Sequence, residues 1–188
     1  MGFPSRRLPE RNWLAKLMLD KDILVCDTTV LLYLERIGQT RLLPLLFEAV
    51  RVPEPVLVEL DMGRLIRTDT IDPRKIAWMQ IVRVSDQELL NLPPNRLGTG
   101  ERAAIAHAKT LKRGKVGLDD RQAREMAASL HVKVIGTLGI LLLAKRHDLI
   151  PSLRPCLDAL QCEGFRMNSQ LVQEALQLAG EPLPSAQA

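Results

Sequence analysis

Ile23-Leu24-Val25-Cys26-Asp27-Thr28-Thr29 sets a short apolar run directly against an aspartate and two threonines, and Val30-Leu31-Leu32-Tyr33-Leu34 follows at once. Four continuous apolar residues between charged flanks read as a strand buried on both faces. Asp27 is then placed to cap a helix that ends near Gly38, because a side-chain oxygen at that position satisfies a free backbone N–H of the first turn. The stretch therefore reads as strand, acid, helix, which is the opening of a parallel crossover unit.

Working outward, the same grammar repeats. Arg41–Ala49 reads as a helix kinked or started by Pro44. Val50-Arg51-Val52 reads as a second strand closed by Pro53. Pro55 suits the first turn of a helix over Val56–Gly63. Arg64–Arg74 is polar and turn-rich. Ile81–Val84 reads as a third strand, and Asp86–Asn91 as a helical turn stopped by Pro93-Pro94. Gly98-Thr99-Gly100 opens a helix over Glu101–Leu111. Val116-Gly117-Leu118 reads as a fourth strand, with Asp119 capping a helix over Asp120–Leu130. Val132–Ile135 reads as a fifth strand, and Gly136-Thr137 leads into a helix over Leu138–Arg146. Pro151 and Asn168-Ser169 start two further helices, the last ended by Gly180. Strands alternating with helices predict an α/β fold whose parallel sheet is covered on both faces. Chemistry is then expected beyond the carboxyl ends of the strands, at the topological switch point.

Composition agrees with one such domain. The chain has 188 residues, 46% of them hydrophobic, and a formal net charge of only +4, which argues against disorder. Its longest apolar runs, Val30–Leu34 and Ile140–Ala144, fall far short of the ~20 residues a membrane helix needs, so no membrane partner is expected. Arg6, Arg7 and Arg11 precede no apolar core, so no secretion signal is expected. Three cysteines, Cys26, Cys156 and Cys162, with no Cys-x-x-Cys pair, argue against a disulfide framework or a structural zinc site and fit a cytoplasmic protein. The division expected is a basic N-terminal extension over residues 1–21, a single domain over 22–180, and a flexible tail over 181–188. Positive charge also clusters in 102–124, where seven Lys/Arg face two acids. Solvated helix faces explain such a cluster most simply, and attraction of a polyanion is the alternative. At 3% aromatics, a surface stacking many single-stranded bases is not expected.

The acids carry the chemistry. Asp27 follows the first strand, and the pair Asp119-Asp120 follows the fourth. Glu59 interrupts the run Val56-Leu57-Val58-Glu59-Leu60 and borders the inward face of its helix. Glu101 stands in the first turn after Gly98-Thr99-Gly100. Singly, Asp27 and Asp119 are explained as N-caps and Glu101 as a complement to its helix dipole. Glu59 is harder to explain, because an acid on an inward face is costly unless something pairs with it. Gathered in one crevice, four carboxylates would raise one another's pKa, and a divalent cation removes that cost. Oxygen-only ligands suit Mg²⁺ or Mn²⁺, which activate water for phosphodiester hydrolysis.

The pattern Val25-Cys26-Asp27-Thr28-Thr29 resembles the opening of the PIN domain, a metal-dependent nuclease family. Later motifs resemble one toxin-like subgroup of it: Pro55-Val56-Leu57-Val58-Glu59-Leu60, Gly100-Glu101-Arg102-Ala103-Ala104-Ile105-Ala106, Leu118-Asp119-Asp120-Arg121-Gln122-Ala123-Arg124, Gly136-Thr137-Leu138-Gly139 and Ala144-Lys145-Arg146-His147-Asp148-Leu149-Ile150-Pro151. The resemblance implies a three-layer α/β/α sandwich with a five-stranded parallel sheet in the order 3-2-1-4-5. It implies hydrolysis of RNA with Mg²⁺ or Mn²⁺, a toxin role beside a small antitoxin protein, and a homodimer. It makes Asp27, Glu59, Glu101 and Asp119 the acidic site, with Asp120 as the alternative ligand beside Asp119, and Thr29 and Thr137 in support. Thr29 would supply a hydroxyl to Asp27 or to a metal-bound water.

Arg121, Arg124 and Lys145 are candidate contacts to the RNA backbone, set against the simpler role of solvated helix faces and helix-end charges. A haloacid-dehalogenase-type phosphatase would need a second Asp two residues after Asp27, where this chain has Thr29. A non-catalytic module that binds RNA or protein is the remaining alternative, and the presence of all four acids argues against it.

Overall fold

The structure, a computed structural model, describes residues 21–94 and 96–183. The rest of the basic N-terminal extension, residues 1–20, and the tail from residue 184 lie outside the described residues. In chain order the elements are β1 (Ile23–Cys26), α1 (Thr28–Arg36), α2 (Leu43–Leu46), β2 (Ala49–Pro53), α3 (Glu54–Ile66), β3 (Met79–Val82), α4 (Asp86–Leu90), α5 (Thr99–Thr110), β4 (Gly114–Gly117), α6 (Arg121–Ser129), β5 (Lys133–Ile135), α7 (Thr137–Arg146), α8 (Arg154–Cys162) and α9 (Ser169–Leu178). Single 3-10 turns lie at Thr40–Leu42 and Pro73–Lys75.

The sheet runs β3-β2-β1-β4-β5, and every neighbouring pair is parallel. Ile23 pairs with Ala49 on one side and Gly114 on the other. The chain reverses its direction of travel between β1 and β4, so the switch point lies where Asp27 and the Asp119-Asp120 pair emerge. Alternation along the strands feeds two cores. Leu24, Cys26, Val50 and Val52 join the helices α1, α3, α7, α8 and α9 on one face. Val25, Val116 and Leu118 join α5 and α6 on the other. That is the three-layer α/β/α sandwich expected, with β1 buried on both faces as its continuous apolar run required.

Several boundaries differ from the sequence reading. The third strand is Met79–Val82, two residues earlier than Ile81–Val84. Its partner β2 ends at Pro53, paired with Val82, and proline has no N–H to carry the ladder further. The helix expected over Arg41–Ala49 is instead a 3-10 turn and the four-residue α2, because Pro44 lies in the first turn and the chain must extend at Phe47 to enter β2. The cap of α6 is Asp120, whose side chain accepts from the Ala123 N–H, and not Asp119. The C-terminal helices pack on the core: Ala175 and Leu176 of α9 are buried, while Leu171 and Leu178 stay exposed. Glu181, read as the head of the tail, accepts hydrogen bonds from Ser152 and from the backbone N–H groups of Leu153 and Arg154, so it caps α8 from outside. Among the described residues no helix is long and apolar enough to cross a membrane.

Candidate functional site

Asp27 leaves β1 at the sheet's carboxyl edge and is 4% exposed. Its backbone N–H continues the ladder to Gly117, and its Oδ2 accepts from the Thr29 N–H at 3.3 Å, the cap of α1. Its Oδ1 is buried and has no hydrogen-bond partner among the described residues. Burial pushes this carboxyl up to about 6. The Thr29 and Thr28 amides pull against that shift, and the charges of Glu59 and Glu101 add to it. An N-cap alone needs one oxygen, so the second is left over from the structural role.

Glu59 reaches the same crevice from the opposite layer. The two helices α3 and α5 meet above the strand ends, and the N-terminus of α5 supplies what this inward acid needs. Glu59 accepts from the Gly100 N–H at 2.9 Å and the Thr99 hydroxyl at 3.3 Å through Oε1, and from the Thr28 hydroxyl at 2.5 Å through Oε2. A free helix N-terminus favours a carboxylate. Glycine at 100 permits this approach, because a Cβ there would lie 2.7 Å from both Glu59 carboxylate oxygens and would force that carboxylate to move. Glu101 sits one residue on. Its Oε2 accepts from the Gly98 N–H at 2.9 Å, closing a capping arrangement over the same turn. Burial raises its pKa, the Gly98 amide opposes, and the charges of Asp120 and Glu59 raise it further.

The acid pair after β4 is divided between two jobs. Asp119 is committed on both oxygens: Oδ1 accepts from the Thr137 N–H at 2.8 Å and Oδ2 from the Thr137 hydroxyl at 2.6 Å. It thereby holds the start of α7 against the end of β4. Burial raises its pKa, while the Thr137 bonds and the Arg124 charge oppose. Gly136 makes this approach possible, since a Cβ there would stand 2.8 Å from Asp119 Oδ1. Asp120 is exposed, uses Oδ1 for the cap of α6, and exerts its charge on Glu101. The structure thus couples Asp27, Glu59, Glu101 and Asp120 electrostatically, and turns Asp119 toward Thr137 and Arg124.

The remaining predicted residues divide similarly. Thr29 serves Asp27 through its backbone N–H, and the hydroxyl that meets a site carboxylate belongs to Thr28. Thr28 and Gly100 were not singled out from the sequence, although both lie inside quoted motifs. Lys145 stands at the far end of α7 from Thr137, where its ammonium donates to the Pro151 carbonyl at 2.7 Å and lies 3.6 Å from Glu181. These contacts anchor the C-terminal segment to the end of α7. Arg121 pairs with Glu125 along α6 at 2.8 Å, and Arg124 faces Asp119. Cys26 is buried, and its thiol is pushed far up by burial and by Asp27, which removes it as a nucleophile.

These residues fit a hard divalent cation. The donors are all oxygen, one buried carboxylate oxygen is unpartnered, and the mutual repulsion is what a cation relieves. Among the described residues no three Asp, Glu, His or Cys side chains already stand at direct-ligand spacing. A water-rich coordination shell, which Mg²⁺ favours, needs only one or two direct carboxylates.

Comparison with known proteins agrees with this geometry. A family model described as a PIN domain matches residues 23–181, the whole span from β1 to Glu181. No curated protein matches the chain. With most of its length matched, and with the sheet order and the acids at its switch point as described, the chain belongs to the PIN-domain family.

Proposed function

We propose that this protein is a Mg²⁺- or Mn²⁺-dependent ribonuclease that hydrolyses phosphodiester bonds with an activated water. The observation that carries the reading is Asp27: buried, lifted to about 6, facing Glu59 and Glu101, with one oxygen that no group among the described residues uses. We take Asp27, Glu59, Glu101 and Asp120 as the acids of the site, and Asp119 as the residue that positions β4 against α7 through Thr137. A bound divalent ion would polarise a phosphoryl oxygen and lower the pKa of a water. Asp27 would hold the ion through its unpartnered oxygen. Glu59, fixed by Thr28, Thr99 and Gly100, would orient ordered waters, and Glu101 and Asp120 would close the open side of the crevice. Among the described residues no cysteine or Ser-His-acid set is placed to attack, so water is the nucleophile in this reading, and the products carry 5′-phosphate and 3′-hydroxyl ends.

The test is cleavage of a labelled single-stranded RNA with Mg²⁺, with Mn²⁺ and in EDTA, with Asp27→Asn beside the parent, and end-group analysis of the products. Cleavage that persists in EDTA, or 2′,3′-cyclic phosphate ends, overturns the mechanism.

Two finer elements belong to the same reading: a second copy of the chain, and control by a small antitoxin in the cytoplasm. Three unpaired cysteines fit that compartment. Val58, Met62, Leu65 and Ile66 project from α3 into solvent at helical spacing, beside Glu59. Exposed apolar stripes of this kind mark protein contacts. We assign the stripe to the second copy. Light scattering on the parent and on Leu65→Glu/Ile66→Glu reads it, with a dimer expected for the parent and a monomer for the variant. A parent that is monomeric at high concentration overturns the dimer.

A further inference from the structure

A cavity of about 400 Å³ opens beside Asp119, which lines it together with Arg121, Arg124, Glu125, Ala128 and Val134. Cavities for nucleotide-sized ligands start at ~300 Å³. Its four α6 residues, Arg121, Arg124, Glu125 and Ala128, follow the spacing of one helix face, while Ala123 and Ala127 on another face enter the core. Val134 comes from β5, the edge strand of the sheet. The two arginines differ. Arg121 is tied to Glu125 through Nε at 2.8 Å. The Arg124 guanidinium makes no hydrogen bond or ion pair among the described residues. Its Nη1 comes 3.5 Å from where a Gly136 Cβ would stand, a point only 2.8 Å from Asp119 Oδ1. Arg124 is therefore the cation of the groove that no carboxylate holds by a hydrogen bond or ion pair among the described residues, although Asp119 feels its charge, and Ala128 and Val134 form the groove's apolar part.

A cation at one end and an apolar floor at the other is the pattern of a phosphate with its attached nucleoside. We infer that this groove is a nucleotide subsite, in which Arg124 takes a phosphate of the strand and Ala128 and Val134 receive the base attached to it. The inference rests on the nuclease reading for its substrate class and extends it from the acids to the strand. With so few aromatic residues in the chain, a base is received here by apolar contact and guanidinium stacking, without an aromatic platform.

The test titrates uridine 5′-monophosphate, uridine and inorganic phosphate separately into the full chain in EDTA, followed by backbone amide chemical shifts. Expected are saturable shifts from the mononucleotide at Arg124, Ala128, Val134 and Gly136, weaker ones from uridine and from phosphate alone. Arg124→Gln is expected to weaken mononucleotide binding about tenfold, as loss of one charge-assisted contact does. Arg121→Gln, whose cation is already paired, should change it by less than about threefold. Ala128→Trp, which fills the groove, should abolish it. Should that variant fail to keep the parent's spectrum elsewhere, Arg124→Gln still decides. Shifts centred on Asp27 and Glu101, affinity unmoved by Arg124→Gln, or phosphate binding as tightly as the mononucleotide each overturn the subsite. Asp27→Asn should leave mononucleotide binding intact. Lost binding with metal-dependent cleavage retained defeats the groove alone, and absent cleavage with binding retained defeats the nuclease reading alone.

Discussion

Asp22 and Asp27 stand at the two ends of the same strand and live in opposite worlds. At the amino edge of the sheet, Asp22 lies between Lys115 at 2.7 Å and Lys133 at 3.2 Å. Burial pushes its carboxyl up, but the two ammonium groups outweigh that and hold it below the ordinary range. At the carboxyl edge, Asp27 is buried among Glu59 and Glu101 with no cation among the described residues to answer it, and burial drives it up to about 6. One edge of the sheet is electrostatically satisfied by the chain itself, while the other keeps a buried carboxylate that no cation among the described residues answers. Functional sites are where such unrelieved charge is kept.

The largest test replaces each aspartate by asparagine. Asp27→Asn should cut metal-dependent cleavage by roughly 10³-fold or more, since the ion's Lewis-acid contribution is several kcal/mol. Asp22→Asn should leave cleavage within about twofold, being remote from the crevice. Stability in EDTA should move the other way. A folded pKa raised from 3.8 to about 6 means the ionised Asp27 opposes folding. That cost is absent below the unfolded value, grows through the interval, and is complete above about 6, where it amounts at most to ~3 kcal/mol. Asp27→Asn should therefore raise the metal-free melting temperature at pH 7 and flatten its fall between pH 4 and 7. Asp22 has a lowered pKa, so its contribution is present at neutral pH and fades as pH falls through its folded value; Asp22→Asn should lower the melting temperature by ~1 kcal/mol equivalent at pH 7. Mg²⁺ should raise the parent's melting temperature and leave Asp27→Asn unmoved. Matching melting curves for the two variants would dissolve the contrast.

The acid pair sharpens the comparison within one edge. Asp120→Asn keeps the cap of α6, because asparagine caps as well as aspartate, and removes charge facing Glu101. It should lower Mg²⁺ affinity by roughly tenfold, read by calorimetry, with an unchanged melting temperature without metal. Asp119→Asn breaks the paired acceptance from Thr137 and should cost about 1–3 kcal/mol of stability, with a smaller effect on metal binding. The reverse pattern would return the ligand role to Asp119.

Much of this was legible in the sequence, and the physical reasons are particular. β1 could be read because four apolar residues buried on both faces leave no alternation to misread. The strand order followed from the resemblance, and the position of the site followed from the switch-point rule. Asp27, Glu59 and Glu101 stood out because each acid interrupted an apolar pattern or opened a helix. What sequence could not give was direction. In Asp119-Asp120 the two carboxylates differ by one position, and the N–H and hydroxyl that claim Asp119 come from Thr137, eighteen residues away. The resemblance gave the supporting hydroxyl to Thr29, and the hydroxyl that meets a carboxylate is that of its neighbour Thr28, because Glu59 reaches it from α3. Lys145 had the composition of an RNA contact, and only Glu181, folded back onto α8, shows what it binds.

Smaller effects probe how Glu59 is held in place. Gly100→Ala gains ~1 kcal/mol of helix propensity in principle. Its Cβ would nevertheless meet the Glu59 carboxylate at 2.7 Å, so that carboxylate must shift and give up its bond from the Gly100 N–H, a loss of about 1 kcal/mol or more. The expected net result is a modest loss of stability and a roughly tenfold loss of metal affinity as Glu59 is displaced. Thr28→Val is milder, because it removes one donor and leaves Gly100 and Thr99 on the other oxygen. Loss of one such bond is worth about 1 kcal/mol, or a several-fold change in Mg²⁺ affinity. Measured together, the two substitutions separate geometry from charge. If Glu59 acts by its position, Gly100→Ala should exceed Thr28→Val in calorimetry, and the double variant should fall short of their sum because both act through the same carboxylate. Equal and additive effects would mean that Glu59 serves the crevice by charge alone, wherever its carboxylate rests.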